Sequence, residues 1–337
     1  MAKPIKGTGQ SDLALDGTDG NDNLMGKAGN DVITGGHGND SIDGGQGIDT
    51  AVYAGNIEDY VISFLGHRDG HGADDLRVSV SDSMDGRDGT DSLKAVEWLK
   101  FNDALVDLSN NVTHFSDHTL DASSYDTHGT ATTTDDEMYF GDGNLPTHYN
   151  IADLNDQKIE LGLKNHYRTG DDITPTSVDS DGTAHYAIPD GAQVVDPAHD
   201  VSGANANRSA WSLDFVVNTG LDGSTATLSD YTFKMVITQN GTNTHVFDLD
   251  PTTHVWHDEA NPSITFGGDD FDPHGASPQV QSQISENSIN LGFGPFVAAF
   301  GPLATSTAAG TTYDVTLQAY DHQNHLLGSV HDALVMA

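Results

Sequence analysis

The sequence predicts an all-β protein in two parts. A coil of very short parallel strands occupies residues 1–108, and an antiparallel β-sandwich occupies residues 151–337. Three observations predict this. Four aspartates, Asp22, Asp31, Asp40 and Asp49, stand nine residues apart, each inside a glycine-rich turn. Several segments of the second half alternate apolar and polar side chains strictly. No segment carries a convincing helical period.

The nine-residue rows read GTDGNDNLM, GKAGNDVIT, GGHGNDSID and GGQGIDTAV. That period is too short for a helical repeat and suits short strands joined by tight turns. The glycines permit turn conformations closed to other residues, and each aspartate supplies a carboxylate at a fixed place. An apolar residue follows two positions later: Leu24, Ile33, Ile42 and, more weakly, Ala51. Two rows make one turn of the coil, so Asp22 is expected above Asp40, and Asp31 above Asp49. Stacked carboxylates repel unless a hard, oxygen-seeking divalent cation lies between them. A flexible glycine-aspartate linker would have no reason to keep phase over four rows.

These rows match the pattern GGxGxDxUx, and residues 7–108 resemble the RTX calcium-binding β-roll of secreted bacterial proteins. The resemblance implies several calcium ions, each held by backbone carbonyls of the glycine turns and by aspartates of rows two apart. The side-chain ligands it implies are Asp22, Asp31, Asp40 and Asp49, with Asp12 a further partner for Asp31. The carbonyl donors it implies are Gly17, Asp19, Gly26, Ala28, Gly35, His37, Gly44 and Gln46. Thr18 and Lys27 stand where the second glycine is expected, and the charge of Lys27 is expected to weaken its site. Residues 7–16 form a degenerate opening row, with Asp12 ten residues before Asp22.

A roll exposes an apolar end that must be covered. Val52, Tyr53, Tyr60, Ile62, Phe64, Trp98, Leu99, Phe101, Val106 and Leu108 are the expected cover. Asp88 and Asp91, in GRDGTDS, suggest one more calcium turn. Residues 109–150, dominated by Ser, Thr, Asp and His, read as a linker. Beyond them, Trp211, Leu213, Phe215 and Val217 share one strand face, as do Tyr231, Phe233, Met235 and Ile237, and Tyr313, Val315, Leu317 and Ala319. LDGS at 221–224, QNGT at 239–242 and DHQNH at 321–325 mark turns between strands. This part resembles sandwich domains of uncharacterised secreted proteins, a likeness that transfers no activity.

Composition narrows the function. The formal net charge is −38, and the acids are 45 Asp against 6 Glu, a bias toward turn-rich, cation-loaded structure. Only 13 Lys and Arg are present and they form no basic patch, so nucleic acid is not an expected partner. With no cysteine there is no disulfide, thiol catalysis or thiolate metal site. No apolar run is long enough to span a membrane as a helix, and the start lacks the apolar core of a cleaved signal peptide. The RTX resemblance implies an extracellular protein exported by type I machinery through an uncleaved C-terminal signal. The end His331–Ala337 is acidic then apolar, as such signals are, and a last β-strand would read the same way.

Seventeen histidines include the pairs His254/His257 and His322/His325. With Asp they suit a transition metal or haem; the alternative is exposed loop histidines on an acidic protein. Asp179 and Asp181 in DSDG, and the run 267–272, read either as calcium loops or as plain hairpin turns. Trp256 and Tyr320 are candidates for stacking on sugars, with a structural role as the alternative. Hydrolase and phosphate-loop signatures are missing, so an enzyme is not the expected reading. The expected protein is a secreted calcium binder whose folding is triggered by extracellular calcium, with a binding or adhesion module for polysaccharide or a cell surface. Its alternatives are a histidine-rich metal or haem protein, and the C-terminal part of a larger RTX enzyme.

Overall fold

The computed structural model describes residues 4–65, 77–118, 148–167, 173–179, 181–188, 211–267, 282–290, 294–302 and 308–337. The chain divides into two compact units, Met1–Thr113 and His114–Ala337. Both are built almost wholly of β-strands.

The first unit begins with β1 (Ile5–Lys6), β2 (Leu15–Asp16), β3 (Asn23–Ala28), β4 (Val32–Thr34), β5 (Ser41–Gln46) and β6 (Thr50–Val52). Each glycine turn sends the chain across to the opposite sheet. Strands β1, β3 and β5 therefore stack in parallel on one side, and β2, β4 and β6 on the other. Leu24 pairs in register with Ile42, and Ile33 with Ala51, an offset of 18 residues per turn in each case. Ile5 pairs with Leu24, an offset of 19, which absorbs the extra residue between Asp12 and Asp22. Side chains alternate across a strand, so Leu24, Ile33, Ile42 and Ala51 all point between the sheets and are buried.

Strands β7 (Tyr60–Phe64), β8 (Arg77–Asp82) and β9 (Thr90–Lys94) extend the first sheet in the order β1-β3-β5-β9-β8-β7. Strands β10 (Trp98–Lys100) and β11 (Ala104–Asp107) extend the second, with β10 parallel to β6. Together they close the C-terminal end of the roll. Tyr53 stacks on Phe101 at 5.3 Å, and Tyr60 packs 4.9 Å from Phe101. Leu99, Val106 and Leu108 are buried in the same core, with Ile62 packed against it. Of the expected cover, Phe64 is instead exposed, at the far end of β7 although in phase with Tyr60 and Ile62, while Val52 and Trp98 are half-buried on the outward phase of their strands.

β12 (Val112–His118) straddles the division between the units and lies within the expected linker, as do the first residues of β13 (Tyr149–Leu154). The linker is thus strand at both ends of its span, and residues 119–147 lie outside the described residues. The segment VTHFSDH forms a strand despite its polar composition and without strict alternation.

In the second unit, β13, β14 (Ile159–Tyr167), β17 (Trp211–Asn218) and β22 (Ile284–Ile289) lie side by side and antiparallel in one sheet. An eight-stranded sheet runs β15 (Ser177–Val178), β16 (Ala184–Ile188), β24 (Leu326–Met336), β23 (Thr312–Tyr320), β18 (Thr232–Gln239), β19 (Asn243–Leu249), β20 (Val255–Asp258), β21 (Thr265–Gly267). The sheets pack face to face: Phe215 meets Trp256 edge-on at 5.3 Å, and Asn150 and Asn165 reach Asp332 on β24 at 2.8 and 2.9 Å. One pair departs from the antiparallel expectation, since β16 and β24 run parallel. Such a pair needs a long connection, which the 137 residues between Ile188 and Leu326 provide. The expected faces hold for Phe233, Met235 and Ile237 and for Tyr313, Val315, Leu317 and Ala319, all buried. Strand β17 is buried on both faces. A short helix, α1 (Gly294–Phe300), corrects the expectation of no helix. Pro295 opens it and Gly301, at φ 87°, ends it. Phe296 and Phe300 anchor it in the core, and seven residues are too few to show a period.

Candidate calcium sites of the roll

The turns bring the aspartates of rows two apart into contact. The backbone N–H of Asp31 donates to Oδ1 of Asp49 at 2.8 Å, and that of Asp12 to Oδ1 of Asp31 at 2.7 Å. On the other edge the N–H of Asp22 donates to Oδ1 of Asp40 at 2.8 Å, and that of Asp40 to Oδ1 of Asp91 at 2.8 Å. At the capped end, Oε2 of Glu97 accepts from the N–H of Asp49 at 2.8 Å. The structure therefore carries two acid ladders, Asp12-Asp31-Asp49-Glu97 and Asp22-Asp40-Asp91. Asp91 was legible as part of a further turn; its neighbour Asp88 instead accepts from the N–H of Ala54 at 2.8 Å and from the Tyr60 hydroxyl, tying down the cap. Glu97 was missed, because nothing in AVEWLK repeats the glycine pattern.

Each ladder uses one carboxylate oxygen per rung. The second oxygens, Oδ2 of Asp31, Asp40 and Asp49, are buried with no hydrogen-bond partner. Burial pushes the carboxyls of Asp40, Asp49 and Asp91 up, Asp49 to about 6 and Asp91 to about 7, and neighbouring carboxylates add to the rise. Buried acid oxygens without partners are costly unless a cation meets them.

The glycines make room for one. A side-chain carbon at Gly26 would lie 2.3 Å from both Asp31 Oδ2 and the Gly44 carbonyl. At Gly44 it would lie 2.1 Å from the Ala95 carbonyl and 2.6 Å from Asp49 Oδ2, and at Gly35 it would lie 2.4 Å from Asp40 Oδ2. These are small, oxygen-lined recesses that only glycine leaves open. Carboxylate and carbonyl oxygens without nitrogen or sulfur are the donor set of calcium. The residues present fit that ion.

A further set of rungs, of asparagines, was also missed. Oδ1 of Asn21 accepts from the N–H of Asn39 at 3.0 Å, Asn30 from Ile48 at 3.1 Å, and Asn39 from Thr90 at 2.9 Å. It runs opposite in polarity to the acid ladders. The recurring Asn-Asp pair in rows one to three was the signal that would have found it.

Of the other expected carbonyl donors, Gly17 lies under the Gly35 carbonyl, a side-chain carbon on it falling 1.9 Å away. Asp19 and His37 sit together at the rim, His37 Nδ1 3.9 Å from Asp19 Oδ1 with both side chains largely in solvent. Ala28 and Gln46 pair in register at the ends of β3 and β5.

The tentative second sites are not assembled in this way. Asp179 Oδ2 meets His185 Nε2 at 2.8 Å, and Asp181 Oδ1 accepts from the N–H of Thr183 at 3.1 Å, within the tight turn joining β15 to β16. His254 ends the turn before β20 at φ 57°, while His257 stands opposite Asp248 on that strand. Asp321 Oδ1 accepts from the N–H of His325 at 2.8 Å, and the His325 side chain is 76% exposed in the turn that also contains His322. Among the described residues no group of three or more His, Asp or Glu gathers to hold a metal there. Gly267 ends β21, and 268–272 lie outside the described residues. Trp256 is fully buried between the sheets rather than offered to a sugar, and Tyr320 is half-buried, its hydroxyl donating to Gln318 at 3.0 Å.

A polar roll with stacked acids, glycine recesses and hard oxygen donors defines a calcium-binding repeat. Residues 16–51 match the RTX calcium-binding nonapeptide repeat in four copies, and this segment is an RTX repeat array. No curated protein matches the chain. Among solved structures, the chain is similar to the extracellular lipase LipA from Serratia marcescens, at 18% identity and a TM-score of 0.25. The likeness covers 34% of this chain and 17% of the lipase chain, about a sixth of its length. No helix among the described residues is long and apolar enough to cross a membrane.

Proposed function

We propose that this is an extracellular calcium-binding protein whose roll folds when it meets calcium. The observation that carries the reading is the set of buried, partnerless Oδ2 atoms of Asp31, Asp40 and Asp49 beside open glycine recesses. Asp31, Asp40 and Asp49 would hold the ions with turn carbonyls drawn from Gly17, Asp19, Gly26, Ala28, Gly35, His37, Gly44 and Gln46. Bound calcium would neutralise the ladder and cross-link successive turns. The chain's own residues do the rest: the glycines keep the recess open, and the Oδ1 ladder fixes each carboxylate's orientation.

At roughly 10⁻⁴–10⁻³ M, the dissociation constants usual for extracellular calcium modules exceed cytoplasmic calcium and match its external level. An ion that binds only the folded state shifts folding toward it. In calcium-poor cytoplasm the acid rungs repel and the roll stays open, which suits threading through a type I export channel. The second unit serves in this reading as a binding or adhesion module for polysaccharide or a surface, supported by its sheet architecture without a catalytic motif.

The test is circular dichroism and limited proteolysis of the full chain titrated with calcium after chelator treatment. Strand signal and protection of the first unit should rise with calcium. Identical spectra and cleavage in calcium and in EDTA would refute the reading.

A further inference from the structure

The N-terminal end of the roll differs from its middle in how its acids are satisfied. In the opening rows the second turn position is Thr8 or Thr18, not glycine. The N–H of Thr8 donates to Asp12 Oδ2 at 2.6 Å, and the Thr8 hydroxyl reaches the same oxygen at 3.2 Å. Thr18 repeats this on Asp22 Oδ2, with its N–H and its hydroxyl both at 2.7 Å. The oxygens left orphaned at Asp31, Asp40 and Asp49 are therefore already partnered at Asp12 and Asp22.

Lys27 makes the third substitution. It holds φ 87° where the following rows have Gly36 at 88° and Gly45 at 107°, a conformation that disfavours any side chain. Its ammonium donates to the carbonyl of Gly7, one turn back along the roll. Gly7 heads the column that continues through Gly26 and Gly44: a side-chain carbon on Gly7 would lie 2.6 Å from the Gly26 carbonyl and 2.6 Å from Asp12 Oδ2. Lys27 thus brings a fixed positive charge to the carbonyl column at the place where, one turn later, the oxygens face an open recess.

We infer that the opening turn is closed by the chain's own groups and takes no calcium, and that ion binding begins at Asp31 and Asp40. Two threonines supply the hydrogen bonds and one lysine the charge that calcium supplies further along. This end acts as a built-in template: it offers the first pair of stacked rows without waiting for an ion. A cooperative coil with a costly first turn gains most from such a preset end. The inference rests on the calcium reading proposed above.

The test is the calcium stoichiometry of the full chain, measured by equilibrium dialysis and native mass spectrometry. Asp22→Asn keeps size and an acceptor oxygen, and should leave the ion count unchanged; Asp40→Asn should lower it. Lys27→Gly and Thr18→Gly restore the repeat's glycine, and each should add an ion. Loss of an ion in Asp22→Asn equal to that in Asp40→Asn would overturn the inference, as would an unchanged count in both folded glycine variants. Should a glycine variant fail to fold, the asparagine pair still decides. Absence of any bound calcium in the unsubstituted chain would instead remove the calcium reading itself.

Discussion

The amide of Asp31 donates to Oδ1 of Asp49 at 2.8 Å, one full turn of the roll away, while Oδ2 of each residue is buried without a partner. One oxygen of the carboxylate is thus structural, and the other is the one an ion would meet in the proposed reading. The two roles are separable by substitution. Asp49→Asn keeps an acceptor for the Asp31 amide and loses the charge, so it should weaken calcium binding with little loss of ion-free structure. Asp49→Ala removes both, and leaving the Asp31 amide buried and unpaired should cost about 1–3 kcal/mol more. Calorimetric titration combined with chemical denaturation checks the pair. Asp19→Ala, whose side chain is 97% exposed, should change neither.

The recess at Gly26 sets a steric prediction. An alanine methyl there would press on Asp31 Oδ2 and the Gly44 carbonyl, both at 2.3 Å. Gly26→Ala should lower roll stability by about 1–3 kcal/mol and abolish binding in that recess. Gly20→Ala meets no atom within 4 Å and should be near neutral. Thermal melts in saturating calcium and in EDTA separate the two effects.

The aromatic cap should be as necessary as the ions. Phe101 packs against both Tyr53 and Tyr60, and Phe101→Ala should cost about 3–5 kcal/mol. Calcium-induced strand signal would then appear only at higher calcium, because capping and binding act on one folding equilibrium. Val61→Ala, on the outward face of β7 and 62% exposed, should leave the calcium midpoint unchanged.

In the second unit, burial raises the carboxyl of Asp332 to about 7, against the lowering effect of the Asn150 and Asn165 amides. Its folded value thus lies above the unfolded one. Between about pH 4 and 7 the folded state holds a proton that the unfolded state has lost, so this group's contribution falls as pH rises through that window. Asp332→Asn should flatten the decline of stability between pH 4 and 7. Denaturation midpoints across that range, followed at a second-unit tryptophan, provide the measurement.

Much of the roll was legible because its physics is local. Period, glycine phase and the apolar residue after each aspartate dictate which rows stack, and Leu24 over Ile42 follows directly. Thr18 and Lys27 were visible as departures from the pattern; the contact of Thr18 with Asp22 is local to one turn, whereas that of Lys27 with Gly7 depends on the three-dimensional stack. Glu97 could not be found by pattern at all, since its place on the ladder is set by the pairing of β10 with β6. Trp256 suited a structural role more than a sugar-stacking one; its partner Phe215, which lies in a strand about forty residues earlier, was not legible. The parallel pairing of β16 with β24 is equally non-local, and no turn signal announces it. Local alternation gives each strand its buried face, but not its neighbour.

That last pairing has a kinetic consequence. β24 lies inside the eight-stranded sheet, between β16 and β23, rather than at its edge. The ribosome delivers residues 326–336 after every other strand of that sheet, so the sheet stays split into two incomplete pieces until they emerge. The second unit can therefore close only once this strand is present, whether or not the first unit has already taken shape.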